Sequence, residues 1–144
     1  MTLQCRRVSL AAVLAAGLSV GTVAAPGFKV VANASVPTRT LSRDSVAQIF
    51  TKKNVKWPDG SRVVPVDLPV GSKTRESFSQ TVHGKGSAVV DAFWQKQLFS
   101  GRDLPPLTKA SDAEMVSYVR VTTGAIGYVS AEADTTGAKL IEVE

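Results

Sequence analysis

The chain of 144 residues carries 17 basic and 12 acidic residues, a net charge of +5, and 44% of its residues are hydrophobic. This length suffices for one domain with its own core, and the single cysteine excludes a disulfide within the chain. Without residues 1–25 the net charge is +3, which is too mild for a typical nucleic-acid-binding protein, so nucleic acid is excluded as the expected partner.

The first 25 residues have the features of a secretory signal peptide. Arg6 and Arg7 form a positive n-region, residues 8–23 are apolar, and small residues follow them. The apolar stretch is shorter than the roughly 20 residues that span a membrane as a helix. We therefore predict cleavage before Ala25 or Pro26 and a periplasmic or otherwise exported protein, with an uncleaved anchor as the alternative.

Cleavage leaves residues 26–144, for which we predict one domain. Loss of two arginines and of no acidic residue leaves 15 basic against 12 acidic residues, a net charge of +3. The predicted strands are short runs rich in β-branched residues, at 28–33, 62–67, 125–129 and 139–143.

The four predicted helices each follow a serine that suits the N-cap position: Ser42, Ser72, Ser87 and Ser111. Glu114 completes a capping box with the last of these serines. The order β-α-β-α-α-α-β-β predicts an α/β fold with helices packed on a small sheet. Apolar spacing predicts a core that includes Phe50, Phe93, Trp94, Tyr118 and Ile126.

The turn between the second strand and the second helix, predicted at 73–82, has an unusual charge pattern. Gly71 permits a tight turn, and Ser72 caps the helix. Lys73 and Arg75 then place two cations where the helix dipole is positive, which is unfavourable unless an anion binds there. The free amides, the hydroxyls of Ser72 and Thr74 and the two cations would hold that anion.

A purely structural interpretation of the same turn stays open. Ser72 would only cap the helix, Lys73 would point into water, and Arg75 would pair with a carboxylate such as Glu76 or Glu114. Under the anion-site hypothesis, replacing Lys73 and Arg75 by glutamine should make the free domain slightly more stable, because the conflict with the helix dipole disappears, and should abolish stabilisation by the anion.

The residues needed for most catalytic sites are missing. His83 is the single histidine, and no metal-binding His pair or Gly-x-Ser-x-Gly elbow surrounds Ser72. Nothing in the spacing of Asp67, Asp91 and Asp112 supports a metal site. We therefore predict no enzyme, no metal and no cofactor.

Four segments follow one another along the chain, at 41–50, 57–60, 70–75 with Phe78, and 123–129. Together they resemble the substrate-binding proteins of phosphate ABC transporters, in the type II periplasmic-binding superfamily. The resemblance covers the chain from Lys29 to Val143. It implies a single three-layer lobe with a small mixed sheet, and a tetrahedral oxyanion, phosphate by default, at the start of the second helix.

Within the resemblance, Ser72 and Thr74 match the family's hydroxyl donors and Gly71 matches its turn. Lys73 stands where the family has glycine, and the arginine that precedes the family's turn has no counterpart, so Lys73 or Arg75 would supply its charge. The family has two lobes that close on the ligand, whereas this chain has residues for one.

These observations predict an exported protein that binds phosphate or a related oxyanion and is linked to ABC-type phosphate uptake. Its partners would be the oxyanion and a membrane transporter or a sensor protein, and a homodimer stays open. The alternative is an interaction or sensory module that kept one lobe without high-affinity ligand binding.

Overall fold

The computed structural model describes residues 27–144, and the predicted signal peptide lies outside them. Six strands form one sheet, and two of them contain only two residues. Their bounds are β1 Phe28–Ala32, β2 Thr40–Leu41, β3 Val64–Asp67, β4 Leu107–Thr108, β5 Ala125–Ser130 and β6 Lys139–Val143. The sequence predicted the four longer strands and missed β2 and β4, because two residues carry no periodicity.

The helices begin close to the predicted positions. Their bounds are α1 Arg43–Phe50, α2 Lys73–Phe78, α3 Ser87–Phe99 and α4 Asp112–Val121. Helix α2 continues without a break into a π-helical turn, Ser79–His83, so the helical segment ends one residue beyond the predicted one. Within residues 27–144, the longest apolar helical stretch falls short of what a membrane span requires.

The sheet is mixed, with the order β2-β6-β1-β5-β3-β4. Strand β1 lies at its centre and pairs antiparallel with β5 and with β6, Val30 facing Tyr128 on one side and Ile141 on the other. The pairs β5–β3, β3–β4 and β2–β6 are parallel. This arrangement brings the end of β3 and the turn after it next to the centre of the sheet.

Helices cover both faces of the sheet, so the domain has three layers. On β5, Gly127 faces Met115 of α4 so closely that a Cβ at this position would collide with the Met115 sulfur. The next residue, Tyr128, faces the opposite way and stacks on Phe78 of α2. Because neighbouring strand residues point to opposite faces, α4 and α2 lie on opposite sides. The predicted α/β fold is confirmed.

Three of the four predicted N-caps are confirmed. The hydroxyl oxygens of Ser42, Ser72 and Ser111 each accept a hydrogen bond from the amide three residues later. Ser87 was predicted wrongly, because Gly86 occupies the N-cap position of α3. The Ser87 amide and hydroxyl donate instead to the Glu76 carboxylate of α2, with an amide distance of 2.9 Å. A side chain from another helix thus caps α3.

Helix α3 packs on the π turn, away from the sheet, and this limits its burial. Phe50, Trp94 and Ile126 are buried as predicted. Phe93 and Tyr118 are only partly buried, so their prediction as core residues was wrong in degree. Leu98, one helical turn after the buried Trp94, is 49% exposed. The sequence of α3 is apolar on most sides of the helix, so the spacing of hydrophobic residues alone could not identify its buried face.

Candidate functional site

The predicted anion-binding turn is a well-defined helix start. The Ser72 amide donates to the Pro69 carbonyl at 3.1 Å, and Gly71 has a φ of 87°, which a residue with a side chain rarely adopts. The Ser72 hydroxyl accepts from the Arg75 amide at 3.2 Å. The Ser72 backbone carbonyl accepts a hydrogen bond from the Glu76 amide at 3.0 Å. Ser72 thus fixes the direction in which α2 begins.

Several donors of this turn remain unpaired within residues 27–144. The amides of Lys73 and Thr74 have no acceptor there, and neither does the Thr74 hydroxyl. The Lys73 ammonium forms no ion pair with the described carboxylates, and its side chain is exposed. Two amides, a hydroxyl and a cation at a helix start match the needs of an oxyanion.

Arg75 has a different environment from Lys73. Its side chain is only 8% exposed, and its guanidinium pairs with Asp91 of α3 and lies 3.4 Å from Asp67 Oδ2 at the end of β3. The structural interpretation of the turn therefore found the right kind of partner but the wrong residues. Glu76 instead accepts from Ser87 and Gln80.

Asp67 lies at the centre of a buried polar network beside the turn. Its carboxylate accepts from the Leu68 amide at 2.9 Å and from the Tyr128 hydroxyl. Burial raises the pKa of Asp67, against the opposing effects of the Tyr128 hydroxyl and the Arg75 guanidinium. Burial and the nearby Asp67 also raise the pKa of Tyr128, which stays protonated and donates. The network links β3, β5, α2 and α3 behind the turn.

Sequence reasoning missed this network, although one signal was present. Asp67 ends a strand of apolar residues, where a charged side chain is unusual unless it is paired. Asp91 and Tyr128 carry no comparable signal, because only the tertiary fold brings them to Arg75 and Asp67. Among residues 27–144, no three His, Cys, Asp or Glu side chains lie together in a metal-binding arrangement.

Comparison with known proteins finds similarity in structure alone. No family model and no curated protein matches the chain. An ABC-type phosphate transport receptor from Vibrio cholerae matches with a TM-score of 0.64 and 20% identity, over 81% of this chain and 46% of that one. A substrate-binding protein from Clostridium perfringens, solved with bound phosphate, matches with a TM-score of 0.63 and 20% identity, over 81% of this chain and 44% of that one.

A third structure, PstS from Borrelia burgdorferi, matches with a TM-score of 0.59 and 10% identity, over 82% of this chain and 47% of that one. These neighbours are solute-binding proteins, which are not enzymes. The chain spans less than half the length of each. The described residues therefore have the fold of phosphate ABC transporter substrate-binding proteins. The part of those proteins that they cover fits a single lobe.

Proposed function

We propose that the chain binds phosphate or a related oxyanion at the turn formed by Gly71, Ser72, Lys73, Thr74 and Arg75. The observation that carries this proposal is a set of donors at the start of α2 that have no partner among residues 27–144, namely two amides, the Thr74 hydroxyl and the Lys73 ammonium. A fold shared with phosphate transport proteins supports the same ligand.

The residues of the turn would have different tasks. Gly71 allows the backbone to turn, and Ser72 orients the helix start. Lys73 and Thr74 would contact the anion directly through side chain and amide. Arg75 would act from behind the turn, because Asp67 and Asp91 already engage its guanidinium. With one lobe, the bound anion would face water on one side, and we therefore expect weak binding.

The first prediction concerns phosphate binding measured by thermal unfolding. At a phosphate concentration of ten times Kd, linkage should stabilise the folded domain by about 1.4 kcal/mol. The gain should shrink with added salt, because the Lys73 charge is exposed. Thr74→Val keeps the shape of the side chain but removes the hydroxyl, and Lys73→Gln removes the cation, so each should weaken the phosphate response.

The matched control is Lys96→Gln, which removes an exposed cation from α3 outside the turn. Its phosphate response should equal that of the unmodified chain. If phosphate stabilises all three variants equally, the anion binds elsewhere and the turn is only a capped helix start.

We also propose that residues 1–25 are a signal peptide, and that residues 26–144 are exported and serve phosphate uptake with a membrane transporter. The neighbouring structures include an ABC-type transport receptor, which supports this role. The expected result of N-terminal sequencing of the protein recovered from cells is a start at Ala25 or Pro26. A start at Met1 contradicts processing.

A second candidate function is an interaction module for a partner protein or a sensor. It is favoured by apolar side chains that α3 exposes, with Phe99 at 87% and Val89 at 53%. Large contiguous patches of exposed apolar surface commonly mark protein-binding sites. This alternative predicts that phosphate leaves the unfolding temperature unchanged.

A further inference from the structure

The π-helical turn Ser79–His83 forms one wall of a groove on the far end of the α2 segment from the predicted anion site. Turns of this type are rare and occur frequently at functional sites, because the extra residue redirects the side chains that follow. Gly84, with a φ of 65°, ends the turn directly after His83. The helical segment therefore begins with Lys73 and Thr74 and ends with His83.

The groove lies between α1, the π turn and α3. Its volume is about 320 Å³, at the lower end of the range of small-molecule sites, roughly 300–1,000 Å³. Its lining includes both polar and apolar side chains. The polar side chains are Asp44, Gln48, Thr51, Lys53, His83 and Lys85, and the apolar ones are Ala47, Val82, Val89, Val90 and Phe93.

His83 is held in the groove but retains free nitrogens. Its ring is partly buried and contacts the Phe78 ring edge-on, with centroids 5.8 Å apart. Within the described chain its nitrogens have no hydrogen-bond partner. Burial and then the charge of Lys85 lower the pKa of His83, so the free protein carries a neutral imidazole at neutral pH.

The charges around His83 favour an anion. Lys53 and Lys85 are exposed, and neither forms an ion pair within residues 27–144. Asp44 of α1 is the acidic side chain that lines the groove, and α3 contributes apolar lining residues alone. On α3, Val89 is 53% exposed although it borders a concave surface. A ligand with an apolar portion would remove this side chain from water.

We propose that the groove binds a small organic anion, whose acidic group contacts Lys53, Lys85 and His83 and whose apolar body covers Val89, Val90 and Phe93. Inorganic phosphate has no apolar body and would bind here weakly. The proposed ligand class therefore differs from that of the turn at Lys73, and the two sites are independent.

The single histidine of the chain makes the test direct, because one imidazole resonance reports on the groove in proton NMR. The full chain is titrated with phenyl phosphate as the probe. We expect a saturable shift of the His83 resonance and a higher pKa of His83 with the probe bound, since an anion favours the imidazolium.

Three variants assign the contacts. Lys53→Gln and Lys85→Gln should each weaken the binding of phenyl phosphate by about two- to fivefold, as expected for one exposed ion pair. Val89→Ser should weaken it as well, and Lys96→Gln, outside the groove, should leave affinity unchanged. The proposal is overturned if the probe does not shift the His83 resonance, if inorganic phosphate shifts it equally, or if Lys96→Gln weakens binding as much as the groove variants.

Discussion

Arg75→Gln should lower the free energy of unfolding by about 3–5 kcal/mol, because it leaves two carboxylates without their cation. The Arg75 side chain is 8% exposed, and the side chains of Asp67 and Asp91 are 12% and 22% exposed. Few waters can replace the guanidinium there. The loss should be larger at neutral than at acidic pH, since protonation of Asp67 removes one of the two charges. Urea denaturation at both pH values measures these losses.

Lys73→Gln is the matched control, because it removes the same charge from the same helical turn at an exposed position. It should be neutral or stabilising by about 0.3–1 kcal/mol, since it relieves the conflict with the helix dipole. The sequence alone predicted slight stabilisation on removal of both cations. With Arg75 buried, we now expect the double variant to be destabilised. A loss below about 1 kcal/mol for Arg75→Gln would contradict the buried ion-pair network.

Phe78→Ala should lower the free energy of unfolding by about 3–5 kcal/mol, as do other truncations of buried aromatic side chains. The Phe78 ring stacks on Tyr128 with centroids 3.9 Å apart and planes 3° from parallel. Its edges contact Phe28 and Phe50 at 5.3 and 4.8 Å between centroids. These four rings join α1 and α2 to the centre of the sheet, so truncation leaves a cavity that several elements share.

Phe99→Ala controls for the chemistry of the substitution. Phe99 lies in α3 and is 87% exposed, and its truncation should change the free energy of unfolding by less than about 0.5 kcal/mol. Guanidinium denaturation of the two variants compares them directly. Equal losses for Phe78→Ala and Phe99→Ala would show that the aromatic cluster does not form the core.

The sequence predicted those features that depend on neighbouring residues. The caps Ser42, Ser72 and Ser111 each bond to an amide three residues away, and local chemistry suffices to predict such bonds. The cap of α3 depends on Glu76, eleven residues before Ser87, so the serine pattern alone predicted it wrongly.

In the candidate site, too, the local turn could be predicted from the sequence and the long-range contacts could not. The turn from Gly71 to Thr74 forms as predicted, because glycine and serine determine it locally. The partners of Arg75 could not be predicted, since Asp67 precedes it in another element and Asp91 follows sixteen residues later. A single sequence does not distinguish a cation that binds an external anion from a cation that already pairs with two carboxylates of the same chain.

The central position of β1 has a consequence for the order in which the chain folds. Phe28 pairs with Ser130, and Val30 pairs with Ile141, so both neighbours of the first strand come from the end of the sequence. During synthesis, β1 emerges before the other strands and has no neighbour in the sheet until β5 and β6 have been made, at residues 125–143. Pairing across such sequence distances is slow, because loop closure must precede it. The sheet should therefore stay incomplete in nascent chains until these two strands have left the ribosome.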